Sequence, residues 1–97
     1  MASYIVLANY TSQGIKNVKD SAKRLESAKK LMKEFGVKLA SWYLTIGTYD
    51  LVFVLEAPND ETVTRFVLTL TSRGNITTNT LKAFPESEYR KIIGSLT

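Results

Sequence analysis

The chain has 97 residues, of which 44% are hydrophobic and 23% charged, the size and composition of one globular domain. It contains no cysteine and no histidine, which excludes disulfides, thiol nucleophiles, imidazole bases and Cys/His metal sites. We therefore predict a single domain over residues 1–97 that holds neither a metal nor a cofactor.

The net charge of +4 is concentrated between residues 16 and 38, where eight basic residues meet three acidic ones. Charges at helical spacing are typical of a solvated helix face, and a nucleic-acid surface is the weaker alternative. The N-terminus lacks the pattern of a signal peptide, and no stretch has the roughly 20 apolar residues of a membrane span. We expect a cytoplasmic protein that does not associate with membranes.

The first predicted strand covers residues 3–10, which are rich in aromatic and β-branched side chains, and the "TSQG" loop ends it. An amphipathic helix follows over residues 20–35, with Asp20 or Ser21 as its N-cap and Gly36 as its left-handed C-terminal residue. Its apolar residues recur every three or four positions, as expected of a helix with one buried side: Ala22, Leu25, Ala28, Leu31, Met32 and Phe35.

Two further strands are predicted over residues 37–46 and 50–57. Only residues 47–49 separate them, which predicts a hairpin in which Gly47 supplies a positive φ.

A second helix runs from a cap at Asn59 or Asp60 to about Leu70, and a fourth strand covers residues 75–84. The chain closes with a short helix over residues 85–96. Four apolar residues share one side of this helix, and we expect them to pack within the protomer or across subunits: Tyr89, Ile92, Ile93 and Leu96.

The order β-α-β-β-α-β plus a terminal helix predicts an α+β, ferredoxin-like antiparallel sheet. Two helices cover one face of such a sheet, and the other face is usually polar where it meets water. Here the first and third strands are apolar on both faces: Ile5 and Leu7 alternate with Val6, and Val52 alternates with Phe53. We therefore predict a homo-oligomer in which a second copy covers the open face.

Three segments together resemble the GYD-domain family of small prokaryotic proteins: residues 9–26, 43–62 and 74–92. The residues that carry the resemblance are Tyr10, Thr11, Gln13, Gly14, Gly47, Tyr49, Asp50, Gly74, Asn75, Thr78 and Thr80. The resemblance implies a ferredoxin-like fold in a dimeric α+β barrel, whereas the function of most members is unassigned. A more distant similarity is to the effector-binding domain of leucine-responsive, AsnC-type regulators, which bind amino acids at subunit interfaces. Because no helix-turn-helix precedes the first strand, we do not expect this chain to read DNA.

The Gly47–Asp50 turn has two interpretations. In the structural one, Asp50 accepts hydrogen bonds from N–H groups of the turn. In the functional one, Tyr49 and Asp50 reach into an intersubunit pocket and anchor a polar or amine-bearing ligand.

The fourth strand is rich in threonine, and Thr78 and Thr80 share one of its faces. β-propensity alone explains threonines in a strand. The alternative is a pocket for a small polar ligand, formed with neighbouring aromatic residues such as Trp42 and closed by the "TSQG" loop. The residues predicted to line this pocket are Tyr10, Lys16, Tyr43, Tyr49, Asp50, Thr78 and Thr80.

We predict that the protein binds a small polar ligand between subunits. The first alternative is a cofactor-independent oxygenase or isomerase, in which Asp50 acts with Tyr43 or Tyr49 as base and proton donor. The second is a structural or interaction module without a ligand.

An RNA-recognition module would need a basic-Gly pair and alternating aromatics in the third strand. Here Leu51 stands between Tyr49 and Phe53, so we do not expect this chain to bind RNA.

Overall fold

The computed structural model describes all 97 residues. The strands are β1 (Ala2–Tyr10), β2 (Lys38–Leu44), β3 (Leu51–Ala57) and β4 (Ile76–Ala83). The helices are α1 (Ser12–Lys16), α2 (Ser21–Phe35), α3 (Asp60–Thr71) and α4 (Glu86–Gly94), and a 3₁₀ turn spans Val18–Asp20. None of the helices is long and apolar enough to cross a membrane.

The four strands form one antiparallel sheet in the order β2-β3-β1-β4. This order confirms the ferredoxin-like α+β fold predicted from the sequence. In the centre of the sheet Val6 lies opposite Phe53 on one side and Thr80 on the other, so these three side chains point to the same face. That face carries the core.

Helices α2 and α3 cover the core face, and their buried residues form one hydrophobic cluster with the sheet. Phe53, Phe66, Leu55 and Val6 are the largest fully buried side chains in it. Full burial of such a side chain contributes about 1.5–3 kcal/mol to folding. No charged side chain is buried in the cluster.

The helix ends follow the predicted signals at two of three places. Gly36 ends α2 with φ 73°, and Asn59 caps α3 by accepting a hydrogen bond from the Thr62 amide at 2.8 Å, which confirms both predictions. Asp20 occupies the N-cap position of α2, but its side chain makes no capping hydrogen bond. The predicted capping role of Asp20 is therefore wrong.

The segment predicted as a simple "TSQG" loop is instead helical. The Thr11 side chain accepts a hydrogen bond from the Gly14 amide at 3.0 Å and starts α1, and the 3₁₀ turn leads directly into α2. A five-residue helix has too few apolar positions to show a period, so the sequence pattern does not predict it.

The opposite face of the sheet is also apolar. Ile5, Leu7, Val52 and Val54 are half-buried there, and Leu81 on the edge strand is 44% exposed. We call this the open face. It has the composition expected of a face that a second molecule covers.

Helix α4 does not pack into the core. Its predicted stripe stays in solvent within the protomer, with Tyr89, Ile92, Ile93 and Leu96 each at least 43% exposed. The expectation that these residues pack within the protomer is therefore wrong, and packing across subunits remains a prediction.

Candidate ligand-binding site

A cavity of about 290 Å³ lies between the first half of α2 and the core face of the sheet. Its volume is close to the lower end of the range for small-molecule sites, about 300–1,000 Å³. The apolar part of its wall consists of Leu25, Ala28, Trp42, Leu51, Leu70 and Ile76. The polar part consists of Tyr10, Ser21, Arg24, Ser27, Arg73 and Asn75.

We call the apolar part of this wall the apolar floor, and Trp42 is one of its residues. Its indole stacks on Phe53 with ring centroids 4.5 Å apart and an interplanar angle of 15°. Phe53 is fully buried, so it holds the indole in one position. On the facing helix, Ala28 is buried but carries only a methyl group, which leaves the space open.

Two arginines lie at this cavity without a carboxylate partner. The Arg24 guanidinium donates to the carbonyl oxygens of Asn17 at 2.8 Å and Gly14 at 3.2 Å. The Arg73 guanidinium donates to the Ser27 hydroxyl at 3.1 Å. Neither takes part in a salt bridge of the chain. Because arginine stays charged at any ordinary pH, the cavity wall carries positive charge that no salt bridge of the chain compensates.

Neutral polar groups complete the wall. The hydroxyls of Tyr10 and Ser21 are 2.9 Å apart and share one hydrogen bond. The side-chain oxygen of Asn75 accepts a hydrogen bond from the side-chain NH₂ group of Gln13 at 3.1 Å. The NH₂ group of Asn75 therefore remains available as a donor. The cavity therefore combines an apolar floor with a small set of donors.

The contact between the start of α1 (residues 11–14) and the turn before β4 positions this polar wall. Thr11 donates from its amide to the Asn75 carbonyl at 3.0 Å and from its hydroxyl to the Gly74 carbonyl at 2.6 Å. Gly14 is required for the approach, since a Cβ there would lie 2.0 Å from the Asn75 carbonyl oxygen. The start of α1 thus holds Arg73 and Asn75 beside α2.

Of the residues predicted to line a pocket, only Tyr10 lines this cavity. Lys16 is exposed at the end of α1, and Tyr43 is 57% exposed on the open face, opposite Val52. Thr78 and Thr80 lie on the core side of β4, opposite Ala8 and Val6, but outside the cavity wall. The structure does not bring these residues together.

The Gly47–Asp50 turn ties β3 to β1. The Asp50 carboxylate accepts from the Tyr10 amide at 2.9 Å, and the Asp50 amide donates to the Ala8 carbonyl at 2.9 Å. The partner of the carboxylate is thus an amide of β1 and not one of the turn. Gly47 has φ 127°, which confirms its predicted positive φ.

The acid–base pair of the enzyme alternative is not assembled in the protomer. The Asp50 side chain bonds to a backbone amide, and its hydrogen bonds include neither Tyr43 nor Tyr49. The described contact of Tyr49 is through its carbonyl oxygen, which accepts from the Thr45 hydroxyl at 2.6 Å.

Neither arginine stands out in the sequence as a site residue. Arg24 is one of the charges that are typical of a solvated helix face, and Arg73 lies between the second predicted helix and the fourth predicted strand. One weak signal was present: Arg24 precedes Ala28 by four residues, so both lie on the same side of α2.

The model of the GYD domain family matches residues 4–93 of this chain. The chain belongs to the GYD domain family. A member from Thermus thermophilus, named glutamine synthetase and cystathionine beta-lyase binding protein, is 36% identical over 89 residues, which cover 91% of this chain and 94% of that protein.

Solved structures with lower sequence identity share the fold. A feast or famine regulatory protein from M. tuberculosis, complexed with L-methionine, has a TM-score of 0.66 at 14% identity and covers 87% of this chain and 50% of that chain. A 5-chloro-2-hydroxyhydroquinone dehydrochlorinase from Burkholderia phenoliruptrix has a TM-score of 0.60 at 16% identity, over 87% of this chain and 94% of that chain. At these identities the likeness concerns the fold alone.

Proposed function

We propose that this GYD-domain protein is a cytoplasmic homo-oligomer that binds a small polar ligand in the cavity between α2 and the sheet. The observation that carries the proposal is the pair of arginines without a carboxylate partner, Arg24 and Arg73, beside an apolar floor. A preformed apolar site with a few fixed polar groups is the usual design of a small-molecule site.

In this proposal the ligand lies inside one protomer, whereas the sequence predicted a ligand between subunits. The cavity lies on the helix-covered side of the sheet, whereas Leu81 and Tyr43 mark the open face on the other side. Self-association through the open face would therefore leave the cavity accessible. Each protomer would then bind its own ligand.

Trp42 supplies a direct test, since it is the only tryptophan of the chain and lines the cavity. Titrating small polar metabolites should change its fluorescence in a saturable way if one of them binds there. The test variant is Arg73→Gln, which should weaken the fluorescence response to the ligand without changing the emission of the free protein. A ligand that binds with equal affinity to both proteins would place the site elsewhere and contradict the proposal.

A second candidate function is binding to an enzyme of amino-acid metabolism. The Thermus relative is named for two such partners, and α4 of this chain exposes the apolar side chains of Ile92 and Ile93 in the protomer. Exposed apolar stripes of this kind mark protein interfaces.

Calorimetry with purified glutamine synthetase from the same organism tests this candidate. Binding by the wild-type protein that is lost in Ile92→Lys/Ile93→Lys, with the oligomeric state unchanged, would support it. Absence of heat with glutamine synthetase and with cystathionine beta-lyase would contradict it.

A further inference from the structure

We infer that the cavity selects small monocarboxylates that have an apolar body and no ammonium group, such as aromatic or branched 2-oxo acids, over the corresponding amino acids. This inference rests on the proposed function and names the chemical class of its ligand. Three features of the wall lead to it: its positive charge, its lack of any acidic residue, and its apolar floor.

The positive charge selects an anion. Arg24 has two of its nitrogens bonded to carbonyl oxygens and Arg73 has one bonded to Ser27, so each guanidinium keeps further N–H donors. A carboxylate takes up such donors in pairs, and these charge-assisted hydrogen bonds are about twice as strong as neutral ones. A 2-oxo acid adds a ketone oxygen next to the carboxylate and so offers a further acceptor.

The lack of an acidic residue in the cavity wall disfavours a ligand that carries an ammonium group. An amino acid would bring an ammonium group next to its carboxylate, and no aspartate or glutamate lines the cavity. The ammonium would meet only neutral oxygens, such as those of Tyr10 and Ser21, while Arg24 and Arg73 would repel it. Asp50 is not among the residues that line the cavity, and one oxygen of its carboxylate accepts from the Tyr10 backbone amide.

The apolar floor determines which groups the ligand can carry beyond its carboxylate. Leu51 and Leu70 are buried and Trp42 presents a fixed indole, so this end of the cavity offers contact area and few polar partners. A second carboxylate placed here would lose its hydration without compensation. The volume of about 290 Å³ is sufficient for a phenyl or branched aliphatic group.

Isothermal titration calorimetry with matched pairs tests the inference: phenylpyruvate against L-phenylalanine, and 4-methyl-2-oxopentanoate against L-leucine. We expect each 2-oxo acid to bind at least about tenfold more tightly than its amino acid, a difference of about 1.4 kcal/mol. Arg73→Gln should lower the 2-oxo acid affinity about tenfold. Arg90→Gln, which removes an exposed arginine of α4, should leave it unchanged.

The outcomes separate the inference from the proposed function. Amino acids that bind as tightly as their 2-oxo acids would overturn the inference and leave a ligand-binding protein. If none of the four compounds binds, the inference fails, and the proposed function stands only if the Trp42 titration finds another ligand. An equal loss of affinity in Arg73→Gln and Arg90→Gln would also overturn it, because a general charge effect would then explain binding.

Discussion

The carboxylate of Asp50 accepts a hydrogen bond from the backbone amide of Tyr10 at 2.9 Å, which joins the start of β3 to the end of β1. The same β1 residue places its phenol in the cavity wall, where it meets Ser21. The residue that closes the family's Gly-x-Tyr-Asp turn therefore positions the site without entering it.

Replacing Asp50 by alanine should lower the free energy of unfolding by about 1–3 kcal/mol, because the Tyr10 amide loses a charged acceptor. Asp50→Asn should cost less, since an amide oxygen still accepts the hydrogen bond. Urea denaturation of the three proteins measures the difference. Wild-type stability in Asp50→Ala, combined with loss of ligand binding, would instead assign Asp50 to a ligand.

Gly14→Ala should destabilise the fold because the new Cβ would lie 2.0 Å from the Asn75 carbonyl oxygen. Overpacking of this kind costs about 1–3 kcal/mol. Gly94→Ala at the end of α4 is the control, since nothing lies within 4 Å of its added Cβ. Thermal unfolding should show a lower Tm for the first variant only. Equal Tm values would show that α1 does not pack tightly against the turn before β4.

Tyr4 should make the protein sensitive to alkali. Its burial, together with the hydrogen bond to Asp60, raises the pKa of its phenol from 10.0 to about 12. Since the folded pKa lies above the unfolded one, this stabilisation is complete below pH 10 and is lost as the pH rises toward 12. Urea titrations across this window should show a steeper loss for the wild type than for Tyr4→Phe. Tyr89→Phe, at an exposed position, should follow the wild type.

Asp60 should make the stability of the fold depend on pH in the acidic range. The hydrogen bond from Tyr4, and then the one from Lys82, hold the pKa of this carboxyl below its ordinary 3.8. With a lowered folded pKa, the stabilisation is present above pH 3.8 and is lost as the pH falls below it. Asp60→Asn should flatten that acid limb of the stability curve, and Glu88→Gln on α4 should not. Identical acid limbs in all three proteins would contradict the assignment.

Leu81→Glu should weaken self-association. Leu81 lies opposite Ile5 on the open face, and a charge there would have to lose its water when a second copy packs against the sheet. Leu68→Glu is the matched control, since Leu68 is 63% exposed on α3, on the other side of the molecule. Sedimentation velocity should detect a smaller species for Leu81→Glu alone. A wild-type protein that sediments as a monomer would refute the predicted assembly.

Much of the fold could be predicted because it depends on periodic patterns. The alternation of Ile5, Val6 and Leu7 marks a strand with two apolar faces, and the three- and four-residue steps from Leu25 to Phe35 mark a helix. The rules for connections between elements then reduce the possible strand orders to a few. Helix α1 was missed because its start depends on one local hydrogen bond, from the Gly14 amide to the Thr11 side chain.

The candidate site was harder to predict, because its residues meet only in three dimensions. Arg24 and Arg73 are distant in the chain, and each resembles an ordinary surface charge. Thr78 and Thr80 belong to a polar run in the sequence, yet the register puts them farther along β4 than the cavity. Tyr10 is the one residue of the predicted set that lines this cavity, and Trp42 lines it too.

Native mass spectrometry with added phenylpyruvate tests the central claim most directly. We predict an even-numbered oligomer that takes up one phenylpyruvate per protomer, because each protomer has its own cavity. One ligand per two protomers would return the site to the subunit interface. A monomer, or an oligomer that takes up no ligand, would contradict the account.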